Sequence, residues 1–461
     1  MLFVIAALFL WEIATRPAIK TVISHFWYFS LLWLIFFPFR AVLVSEDLVD
    51  LQIEQYFSVE QLFFALLLAF SFWISSYLGY KSTWRVASIG QITLLSPGAR
   101  YRRVFWGLIL AALVFIMTML VDGAELKQFQ GNEQNEARTG AGPTFALSAL
   151  YMLGFISLLG VQLYINQNKA RENLRFFLLS TATVLLISVI FSVALTSRRY
   201  IAEPLLGLLI VFLVSREKGI GLAILSILAT FLLAPVLQLF RYIDIASLTS
   251  LDMGVIEHFA QLVDLRFVLT SISSSFEGID HLSAYLQQAG WFGFLFGTDG
   301  GLSWLFNAVL GLIPRNLWMN KPEIYGSIAQ QHFLYPWMYA DGAATTTIPV
   351  SYVTDFIFGF GVMVGLFMAF MLGRLLRVLQ ECLWNRNSHF ILKGFSLFVF
   401  LNMFNVLRGG TGFLQSVIMF FFVGIAMYGL SPVKRAVGQV LPGLFSIYSP
   451  RSATPRLGPN R

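Results

Sequence analysis

The chain has 461 residues, of which 57% are hydrophobic, 16% aromatic and only 12% charged, and its mean hydropathy is +0.74. About a quarter of the residues of a soluble domain are charged, so this composition excludes an ordinary soluble protein and predicts a chain that lies in a bilayer. The net charge of +7 does not indicate a nucleic-acid partner, because the basic residues lie in short loops and form no basic domain. The single cysteine, Cys382, excludes a disulfide framework and is predicted to lie in a cytoplasmic loop.

The apolar segments predict an all-α, polytopic membrane protein with about eleven spanning helices in one domain over 1–461. The first segment, Met1 to Trp11, is short for a span, but it has neither the basic start nor the cleavage site of a signal peptide. Runs of about 20 residues, which cross a bilayer as helices, follow near 24–44, 60–80, 103–121, 144–165, 173–195, 219–240, 351–373, 390–407 and 411–430, with a shorter run at 200–214.

The charges in the loops predict which side of the membrane each loop faces. Alternate loops hold 21 of the 31 basic residues and only three of the 24 acidic residues, and short loops rich in Lys and Arg are cytoplasmic. This register places the N-terminus outside and the basic tail 431–461 inside. The longest hydrophilic segment, 241–350, is then extracytoplasmic, and its glycine-rich, aromatic part Gly290 to Leu312 is typical of a re-entrant or amphipathic element.

Five basic residues on the predicted outer side stand out, because the positive-inside bias opposes their placement there. Arg198 and Arg199 end the sixth predicted helix, Arg315 and Lys321 lie in the long loop, and Arg408 ends the tenth helix. If they converge, they form a site for a phosphate or pyrophosphate, which a guanidinium binds bidentately. Snorkelling to lipid headgroups or structural contacts within the loop are the simpler explanations.

Candidates for proton transfer are few. His332 in the loop could act as a base near neutral pH, and a structural histidine among aromatic residues is the alternative. Asp355 and Glu203 lie just inside the outer ends of helices nine and seven, where an ionisable group indicates function or an ion pair. His258 and His281 have no carboxylate or histidine partner at metal-ligand spacing, so we predict no metal site and no cofactor. No P-loop, dinucleotide fingerprint or nucleophile elbow occurs, which argues against an ATP-driven pump.

Several of these residues lie in segments that resemble a known family. The segments are Ser197-Arg198, the loop 313–322 (IPRNLWMNKP), Thr346 to Pro349 leading to Asp355 and Phe358-Gly359, and Arg408-Gly409. In these segments, and in topology from about residue 140 onward, the chain resembles the Wzy-type oligosaccharide repeat-unit polymerases, the O-antigen and capsule polymerases of bacteria.

The resemblance implies a GT-C-like membrane glycosyltransferase of the bacterial plasma membrane that needs no metal. It would transfer a growing glycan from undecaprenyl pyrophosphate to a new lipid-linked repeat unit on the outer face. A chain-length regulator and a flippase are the further partners that it suggests. The residues implied to hold the pyrophosphate are Arg198, Arg199, Arg315, Lys321 and Arg408, and those implied to accept the acceptor proton are His332 or, less readily, Asp355.

Two other functions remain open at this point. An O-antigen ligase would share the helix number, the large outer loop and the basic pyrophosphate site. A glycan or lipid transporter would use the basic residues to guide an anionic substrate, although transporters often have two related halves, and this chain concentrates its unusual residues in one outer loop.

Overall fold

The structure is a computed structural model. It describes residues 1–46, 48, 58–82, 102–107, 109–110, 113, 179, 181–187, 199–216, 221, 269, 277–298, 301, 333–334, 351–385, 388, 390–407 and 410–430. Within these ranges the chain is mostly helical and has no strand. The helices are α1 (Leu2–Thr15), α2 (Ala18–Val22), α3 (His25–Leu34), α4 (Arg40–Ser45), α5 (Val59–Lys81), α6 (Arg199–Arg216), α7 (Gly278–Gln288), α8 (Gly290–Phe296), α9 (Tyr352–Trp384), α10 (Phe390–Leu401), α11 (Met403–Leu407) and α12 (Gly410–Tyr428).

Three described helical segments are long and apolar enough to cross a membrane: His25–Ser45, Val59–Lys81 and Tyr352–Trp384. Large apolar side chains such as Phe63 and Phe367 are exposed on their outer faces, as expected of surface that contacts lipid. The prediction of an all-α chain with helices that can span a membrane is therefore confirmed. The number of eleven spans stays a prediction, because four of the other eight apolar runs lie wholly or largely outside the described residues, namely 103–121, 144–165, 173–195 and 219–240.

The first of these segments contains a π-helical turn, Ile35–Phe39, between α3 and α4. Pro38 lies inside this turn, and a proline has no N–H and clashes with the carbonyl one turn before it in a regular α-helix. A local π turn relieves this conflict and changes the direction in which the following side chains point. Arg40 is the first residue after the turn, and its side chain is fully buried.

Helices α5 and α9 form the closest helix pair of the described bundle. A Cβ at Gly373 would overlap the backbone of Ser76, and a Cβ at Gly79 would overlap the backbone of Phe370. Ser75 Oγ donates a hydrogen bond to the carbonyl of Leu366 at 2.7 Å. Small residues that let two helix backbones approach are typical of helix pairs in membranes.

Aromatic side chains fill the space between α3 and α5. Phe26 stacks on Tyr80 with ring centroids 4.7 Å apart, and Trp33 lies 6.2 Å from Trp73. All four residues are buried, and such ring pairs add about 0.5–1.5 kcal/mol each beyond the burial of their area.

Side-chain contacts divide the described bundle into two ends. At the Glu12 end, defined by Glu12, Lys81 and Gln380, the end of α1 contacts the end of α5, and the start of α3 contacts the second half of α9. At the Arg40 end, defined by Arg40 and Ser351, α4 and the start of α9 both contact the start of α7. The α3–α4 segment therefore runs antiparallel to α5 and α9.

The structure corrects the predicted extent of the ninth apolar run. Helix α9 continues to Trp384, eleven residues beyond the run 351–373, so Arg374 and Arg377 are helical. Cys382 is not in a loop as predicted but is buried in this helix. The hydropathy pattern misses this half because charged residues alternate there with buried apolar ones, and Arg377 forms an ion pair with Glu381 on the same helix at 2.8 Å.

Candidate functional site

The start of α7 is a buried polar segment at the Arg40 end. Every residue from Glu277 to Tyr285 is buried. The helix begins against the π-helical turn and the start of α9, since a Cβ at Gly278 would lie 3.1 Å from Phe36 Cδ1 and 3.2 Å from Ser351 Cβ. Glycine at this position lets α7 approach both helices, so the polar residues of its first turns point into the protein.

A buried ion pair joins α7 to the first membrane-spanning segment. The Nε and Nη2 atoms of Arg40 donate to Oδ2 of Asp280 at 3.1 and 2.8 Å. Burial raises the pKa of the Asp280 carboxyl, while the charge of Arg40 acts in the opposite direction. Asp280 Oδ1 accepts no hydrogen bond from another described residue.

A carboxylate and an imidazole follow each other on the same helix. Glu277 Oε2 lies 3.9 Å from His281 Nε2, and both side chains are buried. The prediction that His281 has no carboxylate partner is wrong, because Glu277 lies one helical turn before it. A histidine held next to a carboxylate is an arrangement that can move a proton. Among the described residues, no group of three or more His, Cys, Asp or Glu side chains is arranged to hold a metal ion.

Asp355 lies at the Arg40 end in the first turn of α9. Ser351 caps this helix through Thr354 N at 3.3 Å, and its hydroxyl lies 2.9 Å from that of Thr354. Asp355 is 1% exposed. The helix dipole favours an acidic residue in a first turn, which explains why Asp355 is stable there. Burial of its carboxylate is also compatible with a functional role.

The short helix α8 is attached to a kink in α9. Gly361 has φ +74° within α9, and a Cβ there would overlap the backbone of Leu295. Thr298 N donates to the carbonyl of Phe358 at 2.7 Å. The rings of Trp291 and Phe292 on α8 are exposed, and the re-entrant or amphipathic element predicted for this segment stays a prediction.

Two described residues of the long loop pack onto the same region. The ring of Phe333 lies 5.9 Å from that of Tyr285 and 5.6 Å from that of Phe358. Gln288 Nε2 donates to the carbonyl of Leu334 at 2.7 Å. The chain that directly follows His332 in sequence is therefore attached to α7 and α9 near their Arg40 end.

The structure tests the placement of few of the predicted site residues. Asp355 lies at the Arg40 end as described above. Arg199 is the first residue of α6, which corrects its predicted position at the end of the preceding helix. The remaining predicted site residues lie outside the described residues; they are Arg198, Arg315, Lys321, His332 and Arg408.

The sequence did not identify Arg40, Glu277 or Asp280 as candidate site residues, and it gave His281 no partner. An available signal was the position of Arg40 inside an apolar run, where an arginine is costly unless it is paired. No sequence spacing identifies Asp280 as its partner, because 240 residues separate the two. Glu277 and His281 could have been found from their helical spacing.

Comparison of the chain with protein-family models, with curated proteins and with solved structures found no match.

Proposed function

We propose that the chain is a membrane glycosyltransferase that polymerises lipid-linked oligosaccharide repeat units at the outer face of the bacterial plasma membrane. The basis is the resemblance of the segments around Arg198, Arg315 and Arg408 to the repeat-unit polymerases. The observation that carries the proposal furthest is the buried Arg40–Asp280 pair, with Glu277 and His281 beside it, at one end of membrane-spanning helices. Charged groups at this depth are costly and usually serve a function.

The proposed reaction moves a glycan between two carriers. The acceptor hydroxyl of a new repeat unit attacks the anomeric carbon of the growing glycan. The bond between that carbon and the pyrophosphate oxygen breaks, so undecaprenyl pyrophosphate leaves with the bonding electrons. The acceptor proton goes to a base on the protein, for which we propose His332 or Asp355.

The leaving pyrophosphate needs positive charge. We assign this role to the basic residues of the outer side, since guanidinium groups bind phosphate oxygens bidentately and stabilise charge that develops during bond breaking. These residues are Arg198, Arg199, Arg315, Lys321 and Arg408. In this proposal no metal ion is required, because the pyrophosphate charge is neutralised by side chains.

The Arg40–Asp280 pair has a positioning role in this scheme. It attaches α7 to the first spanning segment, and α7 in turn holds Leu334, two residues after His332. Asp355 lies at the same end, where Ser351 contacts the start of α7. Asp355 and the described loop residue Leu334 are thus connected to one buried cluster.

Deletion of the gene in its native host tests the proposal. Lipid-linked and surface glycans are separated on gels and weighed by mass spectrometry after complementation with the wild type, Arg315→Ala or the control Arg386→Ala. We expect single repeats to accumulate without the gene and polymer to return with the wild type and the control only. Long polymer retained on its carrier would instead indicate a ligase, and repeats trapped on the cytoplasmic side would indicate a transporter.

A further inference from the structure

A cavity of about 390 Å³ lies at the Arg40 end, between the first turns of α5 and the junction of α7 with α8. Its lining combines aromatic rings with amide and carboxylate groups. The side chains that matter here are Glu60, Gln61, Phe64, Gln287, Trp291 and Phe294. Ligand cavities measure about 300–1,000 Å³, so this one suits a ligand of one or two rings.

Three aromatic residues, Phe64, Trp291 and Phe294, take part in the lining. Trp291 and Phe294 meet edge to face, with centroids 6.0 Å apart and an angle of 84° between planes. Trp291 is 79% exposed and Phe64 51% exposed, so both rings are accessible to a ligand. Aromatic side chains offer a large apolar surface at small cost in conformational entropy, which matches the C–H face of a sugar ring.

The polar part of the lining is held in a fixed orientation. Gln61 Oε1 accepts hydrogen bonds from Ser58 N and from Gln287 Nε2, both at 3.0 Å. Because the oxygen is used twice, the amide nitrogen of Gln61 is the group left for a ligand, and it donates to no other described residue. The carboxylate of Glu60 is adjacent and can accept from hydroxyl groups.

These groups favour a sugar over a lipid chain as the occupant. An acyl chain would leave the donors of Gln61 and the oxygens of Glu60 unused, whereas a sugar hydroxyl both donates and accepts. The cavity also lies near the candidate site. Gln287 is seven residues after Asp280 on α7, which corresponds to about 10 Å along a helix.

We propose that this cavity is a sugar subsite that binds one neutral or N-acetylated hexose ring of the lipid-linked glycan. Trp291 and Phe64 contact the apolar face of the ring, and Gln61 and Glu60 bind its hydroxyl groups. The proposal rests on the proposed function for the identity of the ligand, but the cavity and its lining are independent of it.

The test uses the full-length protein in lipid nanodiscs, labelled with 5-fluorotryptophan, with the Trp291 resonance assigned by Trp291→Phe. Methyl glucoside, methyl galactoside and N-acetylglucosamine are titrated separately. We expect at least one of them to shift the Trp291 resonance in a saturable manner. Gln61→Glu should weaken this binding about tenfold, because it removes the amide donors and keeps the acceptor that caps α5. The matched control Phe292→Ala, on the outside of the same helix, should bind as the wild type does.

Three outcomes would overturn the subsite. The first is no saturable shift with any of the three sugars. The second is an equal shift in the wild type and in Gln61→Glu. The third is a shift of the Trp291 resonance by dodecane that no sugar reverses, which would make the cavity a site for lipid chains.

Failure of the subsite can be told apart from failure of the proposed function. If gene deletion abolishes polymer but polymer of full length returns both with Trp291→Ala and with a Gln61→Glu variant whose Trp291 resonance sugar does not shift, the subsite is wrong and the polymerase stands. If deletion leaves polymer unchanged, the polymerase is wrong, and the fluorine titration still decides whether the cavity binds sugar.

Discussion

The Glu12 end and the Arg40 end both bury charged groups, but they satisfy them differently. Glu12 has a donor on each oxygen: Trp27 Nε1 donates to Oε2 at 2.8 Å, and Lys81 Nζ donates to Oε1. At the other end, two nitrogens of Arg40 bond to a single oxygen of Asp280, and the second oxygen accepts from no other described residue. A buried cluster in which every oxygen accepts a hydrogen bond stabilises the fold, whereas a buried oxygen that accepts from no described residue can bind a ligand.

A second hydrogen-bond network, also at the Glu12 end, strengthens the contrast between the two ends. His25 has both ring nitrogens engaged at the Glu12 end, Nδ1 with Gln380 Oε1 at 3.1 Å and Nε2 with the carbonyl of Ser396 at 2.8 Å. Gln380 Nε2 donates in turn to the carbonyls of Lys20 and Ile23. This amide closes the gap between α2, α3 and α9, so we regard the network as structural.

The largest expected effect comes from Arg40→Met. It leaves Asp280 buried without its counter-charge, which costs about 3–5 kcal/mol of stability and should lower the midpoint of thermal unfolding in detergent. Arg40→Met combined with Asp280→Leu should recover most of that midpoint, because a buried ion pair can be replaced by packed apolar side chains.

The double variant also separates structure from function at this end. We expect it to be stable and still unable to restore polymer in the deletion host. If polymer returns to wild-type length, the pair only supports the fold, and the contrast between the two ends disappears.

At the Glu12 end, Gln380→Leu should destabilise the protein by about 2–3 kcal/mol, since it removes the partner of His25 and leaves two backbone carbonyls without their donor. Thermal unfolding measures the loss. Glycan assembly per folded molecule should stay at the wild-type level, and a specific loss of assembly in well-folded protein would contradict a structural role.

Glu12→Gln should have a smaller effect, about 1–2 kcal/mol. The amide oxygen can still accept from Trp27, and Lys81 is 32% exposed, so its charge can be solvated once the carboxylate is gone. The unfolding midpoint of Glu12→Gln is compared with that of Lys81→Met. A drop as large as that of Arg40→Met would show that the two ends do not differ in how strongly they depend on charge.

The smallest effect is expected for Ser58→Ala at the start of α5. The variant loses the cap that Ser58 Oγ provides to Gln61 N at 3.2 Å, which costs about 1 kcal/mol. The backbone of Ser58 still donates to Gln61 Oε1, so sugar binding in the fluorine titration should be nearly unchanged. A loss of binding equal to that of Gln61→Glu would mean that the cap, and not the amide, determines the shape of the cavity.

The predicted spans near 24–44 and 60–80 match His25–Ser45 and Val59–Lys81 within two residues at each end. They could be predicted because each run presents apolar side chains both to lipid and to the protein, so hydropathy alone marks its ends. The start of α9 could be predicted for the same reason. Its end could not, because beyond Gly373 the helix carries charged side chains on one face and packs on the other.

The candidate site was less accessible to prediction. Asp355 was identified because a carboxylate inside an apolar run is unusual. Arg40 has the same signature but was not identified, and Glu277 with His281 was not recognised as a pair. The cavity beside Trp291 could not be predicted, since its walls come from residues more than two hundred positions apart.

Composition and the spacing of apolar runs were therefore sufficient to establish the environment of this protein, because the cost of exposing backbone and charge to lipid acts on each segment separately. The tertiary structure alone decided three contacts. They are the ion pair of Arg40 with Asp280, the contact of α8 with the kink at Gly361, and the hydrogen bond that Gln287 donates to Gln61. Each requires two distant segments to meet, and their meeting depends on the packing of whole helices, which local sequence does not encode.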